Sequence, residues 1–499
     1  PLDYDEPNGR HFPIAMTRLL AADPSERIGS LFVNPGGPGG SGVDFVLAIA
    51  QLEQFGLDVV DPEIRARFDI VGFDPRGIAR SKPLRCFGDP SEWIFAPFPV
   101  TAEEEADAEF ADRYLADACE TRGGRIQDHM STANVARDLD VLRRAVGDRG
   151  LNYVGYSYGS FLGTVYANLF PQKVRAVVVD GVLDPIAWTT GRPGQGSLPF
   201  STRLRSDAGA QATLLEFFRL CNAGGPNCAF APNAAARFAA LADQLLAGPI
   251  DVVDPETGDI FPFTYQDLIG NTLGAMYDAA SWPDLAQLLA FLDAEARPAR
   301  IGARLKALQA KLGGTHPLGR NTPRYYNDVE GFPGVACSDS NNPDSYRAWS
   351  EAGAAADEQF GYFGRLWTWV TSICAVWTGF DEDRYLGPFD AETANPVLIV
   401  GTRFDPATRY EGAVTLSHLL PNSSLLTVDG WGHTSLFVSA CSNAAVARYL
   451  VDGVTPAPGT VCPADVVPFA DAPMSRHRVV PTEIRSVPVS LPGRDSGHY

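Results

Sequence analysis

The stretch LNYVGYSYGSFLGTVYANLF at 151–170 constrains this chain more than any other. An apolar segment, Leu151 to Val154, runs into Gly155-Tyr156-Ser157-Tyr158-Gly159 and then into a pattern that reads as a helix. A G-x-S-x-G between a strand and a helix is the setting in which a serine becomes a nucleophile. The sharp turn strains the serine backbone, and the glycines let strand and helix approach. The hydroxyl is thereby lifted to the positive end of the following helix. The same stretch has no charged residue over 22 positions, Leu151 to Gln172, which is long enough for a membrane span. Asn152, Asn168, Ser157, Ser160, Pro171 and three glycines make it too polar for lipid. A buried strand followed by a buried helix is expected instead.

At 499 residues the chain exceeds one hydrophobic core, so a main domain with a large insertion or a second domain is expected. A formal net charge of −20 argues against nucleic acid or an anionic membrane as partner, because both require a basic face. The eight cysteines are Cys86, Cys119, Cys221, Cys228, Cys337, Cys374, Cys441 and Cys462. None has C-x-x-C spacing and no histidine clusters with them, so neither a metal nor another cofactor is expected. An even count spread through the chain suits disulfides in an oxidising compartment. Many pairings are open; the sequential set 86–119, 221–228, 337–374 and 441–462 is favoured because each pair closes a short excursion. The chain starts at Pro1 without methionine, which reads as a trimmed, secreted form. The sequence does not set an oligomeric state, and a monomer is favoured.

Residues 14–22 and 30–34 read as two strands joined by a turn. The second ends in Asn34-Pro35-Gly36-Gly37-Pro38-Gly39-Gly40-Ser41-Gly42, five glycines in nine positions ahead of an apolar helix. This loop lacks the Lys-Ser/Thr ending of a P-loop and the spacing of a dinucleotide fingerprint. A bare backbone aimed at a developing oxyanion is the better reading. Residues 68–73 form the next buried strand, and Asp74-Pro75-Arg76-Gly77 after it reads as a structural turn held by an ion pair. Helices are expected over 101–120 and 131–146, and a strand over 174–179. Alternating strands and helices indicate a parallel α/β sheet. From about Ile186 to Gly387 the periodicity turns mostly helical, with Trp367, Trp369 and Trp377 in one uncharged run. The sheet resumes at 396–401 and 424–428. The domains expected are 1–185 (core, first part), 186–387 (helical cap insertion), 388–470 (core, second part) and 471–499 (irregular tail).

A serine hydroxyl needs a base, and the base needs an orienting carboxylate. Of seven histidines only His433 lies in a glycine-rich turn directly after a late buried strand. Asp405 follows the penultimate strand. Asp429 lies only four residues before His433, a poor position from which to face the imidazole, and Asp180 and Asp184 are weaker alternatives. The order Ser157, Asp405, His433 is that of α/β-hydrolases. Backbone N–H groups of Tyr158 and of Gly36 or Gly37 would stabilise the oxyanion.

PLDYDEPNG at 1–9, NPGGPGGSG at 34–42, DPRGIARSKPLRC at 74–86, GYSYGS at 155–160, GTRFDPAT at 401–408 and GWGHTS at 430–435 together resemble the secreted bacterial tripeptidyl aminopeptidases. These belong to the proline-iminopeptidase-like group of α/β-hydrolases. The resemblance implies an α/β-hydrolase core, a helical cap inserted after the sixth strand, and a carboxy-terminal part that supplies Asp405 and His433. It also implies export and a preference for peptides with a free amino terminus. An exopeptidase must recognise an ammonium group, and Glu330 and Asp339, flanking Cys337, are the candidates for it. The substrate expected is a short peptide, with a small non-peptide ester or amide, cleaved as by a carboxylesterase or amidase, as the alternative.

Overall fold

Along residues 174–180 the apolar side chains alternate between two layers. Val177 and Val179 pack with Tyr153, Phe161 and Ile399, whereas Ala176 and Val178 pack with Val154, Leu398 and Val400. A strand that is apolar on both faces must be covered on both. The computed structural model, which describes residues 1–470 apart from 58, 255–256, 295–301 and 308–324, covers them with helices. Thr132–Ala145, Tyr158–Leu169 and Tyr410–Leu419 lie on the first face, Gly42–Gln54 and Ala440–Asp452 on the second.

The described strands are β1 (Met16–Leu19), β2 (Gly29–Asn34), β3 (Phe68–Phe73), β4 (Leu151–Tyr156), β5 (Val174–Asp180), β6 (Ile250–Val253), β7 (Ile260–Phe263), β8 (Val397–Phe404), β9 (Ser423–Trp431) and β10 (Val461–Pro463). Eight of them form one sheet in the order β1-β3-β2-β4-β5-β8-β9-β10. Every neighbouring pair is parallel except β1 with β3. The two amino-terminal strands expected as neighbours are therefore separated. β1 pairs antiparallel with β3, Met16 opposite Phe73 and Leu19 opposite Ile70. The reason lies in burial: β2 is buried at all six positions and takes parallel partners on both sides, while β1, alternately exposed, suits the edge.

The Asp74-Pro75-Arg76-Gly77 turn is also corrected, since its two charges do not pair with each other. The Asp74 carboxylate accepts from Ser41 Oγ, from Val43 N at 3.2 Å and from Arg80 Nη1 at 3.3 Å. Arg76, fully buried, is bidentate to Asp138 at 2.7 Å per bond and donates to the carbonyls of Leu2 and His129. A guanidinium this deep needs all its donors met. Two anchors result, one to the glycine loop and one to the helix before the elbow.

Five strands of the main sheet precede the insertion among the described residues, where the resemblance implies six. The insertion builds its own apolar core, with Phe217, Phe238, Ile269, Leu273, Trp282 and Leu289 at its centre, and this reaches the sheet's carboxy-terminal edge at Ala407 and Trp431. It is mainly helical, but β6 and β7 form an antiparallel pair that the helical reading missed. Trp367 and Trp369 are buried in apolar clusters. The four disulfides are Cys86–Cys119, Cys221–Cys228, Cys337–Cys374 and Cys441–Cys462, the sequential set. The last ties the helix 440–452 to β10, and the expected tail at 471–499 lies outside the described residues.

Candidate active site

Ser157 stands between β4 and the helix Tyr158–Leu169 with φ +56° and ψ −123°, a conformation that costs a residue with a Cβ about 1–3 kcal/mol. The turn is tight enough that its glycines cannot be replaced. A Cβ on Gly155 would lie 2.1 Å from the carbonyl oxygen of Gly159, and one on Gly159 would lie 2.7 Å from that of Asn34. The Ser157 N–H donates to the Asp180 carbonyl at 2.9 Å, which fixes the elbow to the end of β5.

The glycine loop closes over this turn. At Gly36, φ is +102° and a Cβ would lie 2.8 Å from Ser157 Cβ, so only glycine lets the loop come this close. The Gly36 N–H is committed to Asn34 Oδ1 at 3.0 Å. Those of Gly37 and of Tyr158, the first residue of its helix, donate to no group among the described residues. Tyr158, next to the serine, and Gly37, in the loop packed on it, thus each carry an unengaged N–H of the kind an oxyanion needs.

Asp405 follows β8 and is 1% exposed. Its carboxylate accepts from Ala407 N and Thr408 N at 2.8 Å, Thr408 Oγ1 at 2.8 Å and Thr434 N at 2.9 Å. Both oxygens also stand 3.0 Å from His433 Nδ1. Burial alone would raise this carboxyl, but His433 and the hydrogen bonds from Thr434 and Thr408 hold it below the usual carboxylate range. Among the described residues the ring's hydrogen bonds all fall on Nδ1 and none on Nε2; catalytic hydrogen bonds to a nucleophile commonly tighten only with substrate. Asp429, the nearby rival, points away: it pairs with Arg403 at 3.1 Å and is well exposed.

Two residues that the sequence reading did not assign complete this arrangement. Tyr277, from the insertion, accepts the His433 N–H through its carbonyl at 2.9 Å and sets its ring edge-on to the imidazole, 4.9 Å between centroids. Its neighbour Asp278 forms a β-bridge with Gly432. Thr408, one turn beyond Asp405, holds that carboxylate through both its amide and its hydroxyl. Thr408 lay within the motif GTRFDPAT, so a signal existed; Tyr277 had none.

Glu330 and Asp339, the candidates for ammonium recognition, lie on one helix, Asp328–Asp339, and are both buried. Neither hydrogen-bonds to the serine, the histidine or Asp405. Asp339 has both oxygens occupied, by Thr132 N at 2.7 Å, Thr132 Oγ1 at 2.6 Å and Trp188 Nε1 at 3.3 Å. Glu330 accepts from Tyr325 OH and Cys86 N through Oε1, while Oε2 has no partner among the described residues. The next residues, Gly331 and Phe332, pack on Gly39 of the glycine loop. Burial pushes both carboxyls up to about 7. A carboxyl raised on folding contributes stability that is full below its unfolded value and lost as pH rises through its folded one. The melting temperature is thus expected to fall as pH rises from about 4 to about 8, and Asp339→Asn to flatten that fall. A flat or rising wild-type profile would count against it.

A doubly covered parallel sheet with an elbow serine, a glycine loop and an Asp–His pair at its carboxy-terminal edge defines an α/β-hydrolase. Residues 29–211 match the family model described as alpha/beta hydrolase fold, and residues 358–462 match that described as TAP-like protein. The tripeptidyl aminopeptidase of Streptomyces lividans is 32% identical over 94% of this chain and 83% of its own length. Serine protease Hip1 of Mycobacterium tuberculosis is 32% identical, covering 93% of this chain and 86% of its own. Carboxylesterase B of the same organism is 33% identical over 93% and 85%. The chain belongs to this family of tripeptidyl-aminopeptidase-like α/β-hydrolases.

Proposed function

We propose that this chain is an exported serine exopeptidase that releases short peptides or single residues from free amino termini. The observation that carries the reading is His433 Nδ1 at 3.0 Å from both oxygens of a buried Asp405, in a chain similar throughout to a tripeptidyl aminopeptidase. Ser157 Oγ attacks the scissile carbonyl carbon while His433 Nε2 takes its proton. Asp405 holds the imidazole in the required tautomer and balances its charge. The N–H groups of Tyr158 and Gly37 receive the oxyanion, each worth about 3 kcal/mol. Gly36 serves by being bare, since its own amide is taken by Asn34. His433 then protonates the leaving amine, and water repeats the cycle on the acyl-enzyme. Export is supported by the four disulfides, which persist in oxidising compartments.

For the substrate's ammonium group Glu330 is the better of the two buried acids, because Oε2 has no partner among the described residues and its helix abuts the glycine loop. The test compares a free-amine tripeptide anilide, its N-acetylated twin and a short acyl ester. The free-amine peptide is expected to be cut and the acetylated one spared. Glu330→Gln is expected to raise KM for the free amine by about tenfold or more, the value of a charge-assisted hydrogen bond. A second reading, a carboxylesterase, is favoured by the equally similar carboxylesterase B; turnover of the ester alone would establish it and reject the exopeptidase.

A further inference from the structure

Asp180 ends β5, the strand between the one that carries the elbow and the one that leads to Asp405. It is 3% exposed and touches both halves of the site. Its carbonyl accepts the Ser157 N–H at 2.9 Å. Its carboxylate accepts from Ser435, two residues after His433: Ser435 N at 3.0 and 3.1 Å and Ser435 Oγ at 2.7 Å. Ser435 Oγ in turn accepts from Ser442 Oγ at 3.0 Å, at the start of the helix 440–452. The next residue, Gly181, has φ +65°, and a Cβ there would lie 3.5 Å from His433 Cε1. One residue thus holds the nucleophile by its backbone and the base's loop by its side chain.

We propose that Asp180 is a positioning residue that sets the distance between Ser157 and His433 and adds a second negative charge facing the imidazolium formed during turnover. The inference rests on the reading of Ser157, His433 and Asp405 as the catalytic triad. Asp405 is the carboxylate that orients Nδ1, and Asp180 makes no hydrogen bond to the ring; its action runs through Ser435 and through space. The titratable groups that face it are Asp405, beyond β8, His433, beyond β9, and Tyr156 of β4. Burial, reinforced by Asp405 and opposed by the Ser435 hydrogen bonds and His433, leaves its carboxyl up at about 7. The Asp180 carboxyl therefore loses its charge as pH falls through the neutral range. With that charge the site loses what Asp180 contributes to supporting the imidazolium.

The experiment follows irreversible labelling of Ser157 by a small fluorophosphonate against pH, which requires the activated serine but no peptide specificity. If peptides are not cut while labelling behaves as expected, only the exopeptidase reading fails. Wild type is expected to lose labelling rate along a two-proton acid limb. Asp180→Asn, which keeps the size and one acceptor, is expected to show a one-proton limb and a plateau lower by about tenfold, the loss of about 1.4 kcal/mol of charge support. Ser435→Ala keeps the charge but removes one hydroxyl; it is expected to lower the plateau by several-fold and keep the two-proton limb. A one-proton limb in wild type, or a two-proton limb in a folded Asp180→Asn protein, overturns the inference. Should Asp180→Asn fail to fold, Ser435→Ala decides: an unchanged plateau overturns the positioning role, and a lowered plateau with the limb intact sustains it.

Discussion

Ser157→Ala is expected to lower turnover of any accepted substrate by about a millionfold while leaving the melting temperature within a few degrees of wild type. The two halves of that expectation have separate causes. What fixes the turn is the backbone: the Ser157 N–H to the Asp180 carbonyl, the close approach of Gly155 to Gly159, and the packing of Gly36 on Ser157 Cβ. Alanine keeps the amide and the Cβ and meets the same positive φ that serine already tolerates. Only the oxygen is lost, and with it the acyl-enzyme. The measurement is kcat on the best substrate beside a calorimetric binding isotherm and a melting curve. A variant that keeps its fold and more than about one per cent of its activity would show that Ser157 is not the nucleophile.

The second large effect is at Asp405. Asp405→Asn is expected to lower kcat by about ten-thousandfold, because an amide nitrogen facing His433 Nδ1 favours the wrong tautomer. Unlike the serine, this residue also holds structure. Its two oxygens accept from Ala407 N, Thr408 N, Thr408 Oγ1 and Thr434 N besides the imidazole. Whichever way the asparagine turns, its NH2 meets a donor, and a buried donor left without an acceptor costs about 1–3 kcal/mol. A lowered melting temperature is therefore expected together with the lost activity. A loss of less than about tenfold would transfer the acid's role to another carboxylate, and Asp180 would be the one to examine.

The residues of this site were legible in the sequence to different depths. Ser157, Asp405 and His433 each follow an apolar run that marks a buried strand, and the ends of such strands are where a parallel sheet gathers its functional groups. Strand identity was likewise readable for β2 to β5, since short apolar runs such as Leu31-Phe32-Val33 and Ala176-Val177-Val178-Val179 leave little choice. Partners were harder. Nothing local in Met16–Leu19 says that it lies beside β3, because pairing depends on which edge remains open once the buried strands have met. Arg76 read as half of a local ion pair, yet its guanidinium reaches 62 residues along the chain to Asp138, a choice made by burial. The β6–β7 pair had its own signal in the run Ile250-Asp251-Val252-Val253, but helical periodicity on both sides concealed so short an element. Tyr277 could not be found at all, since its role is set by where a long insertion returns to the sheet.

That return has an energetic meaning. The insertion supplies the carbonyl that holds the amide of His433, through Tyr277, and it pairs Asp278 with Gly432. It also sends Ser206 Oγ to the Ala407 carbonyl at 2.6 Å and seats Gly209 against the Asp405 carbonyl. The described part of this roof, fastened beside both His433 and Asp405, cannot swing wide without breaking these contacts. The fastened part of the roof is thus preorganised, and no ordering entropy is spent on it when a substrate binds.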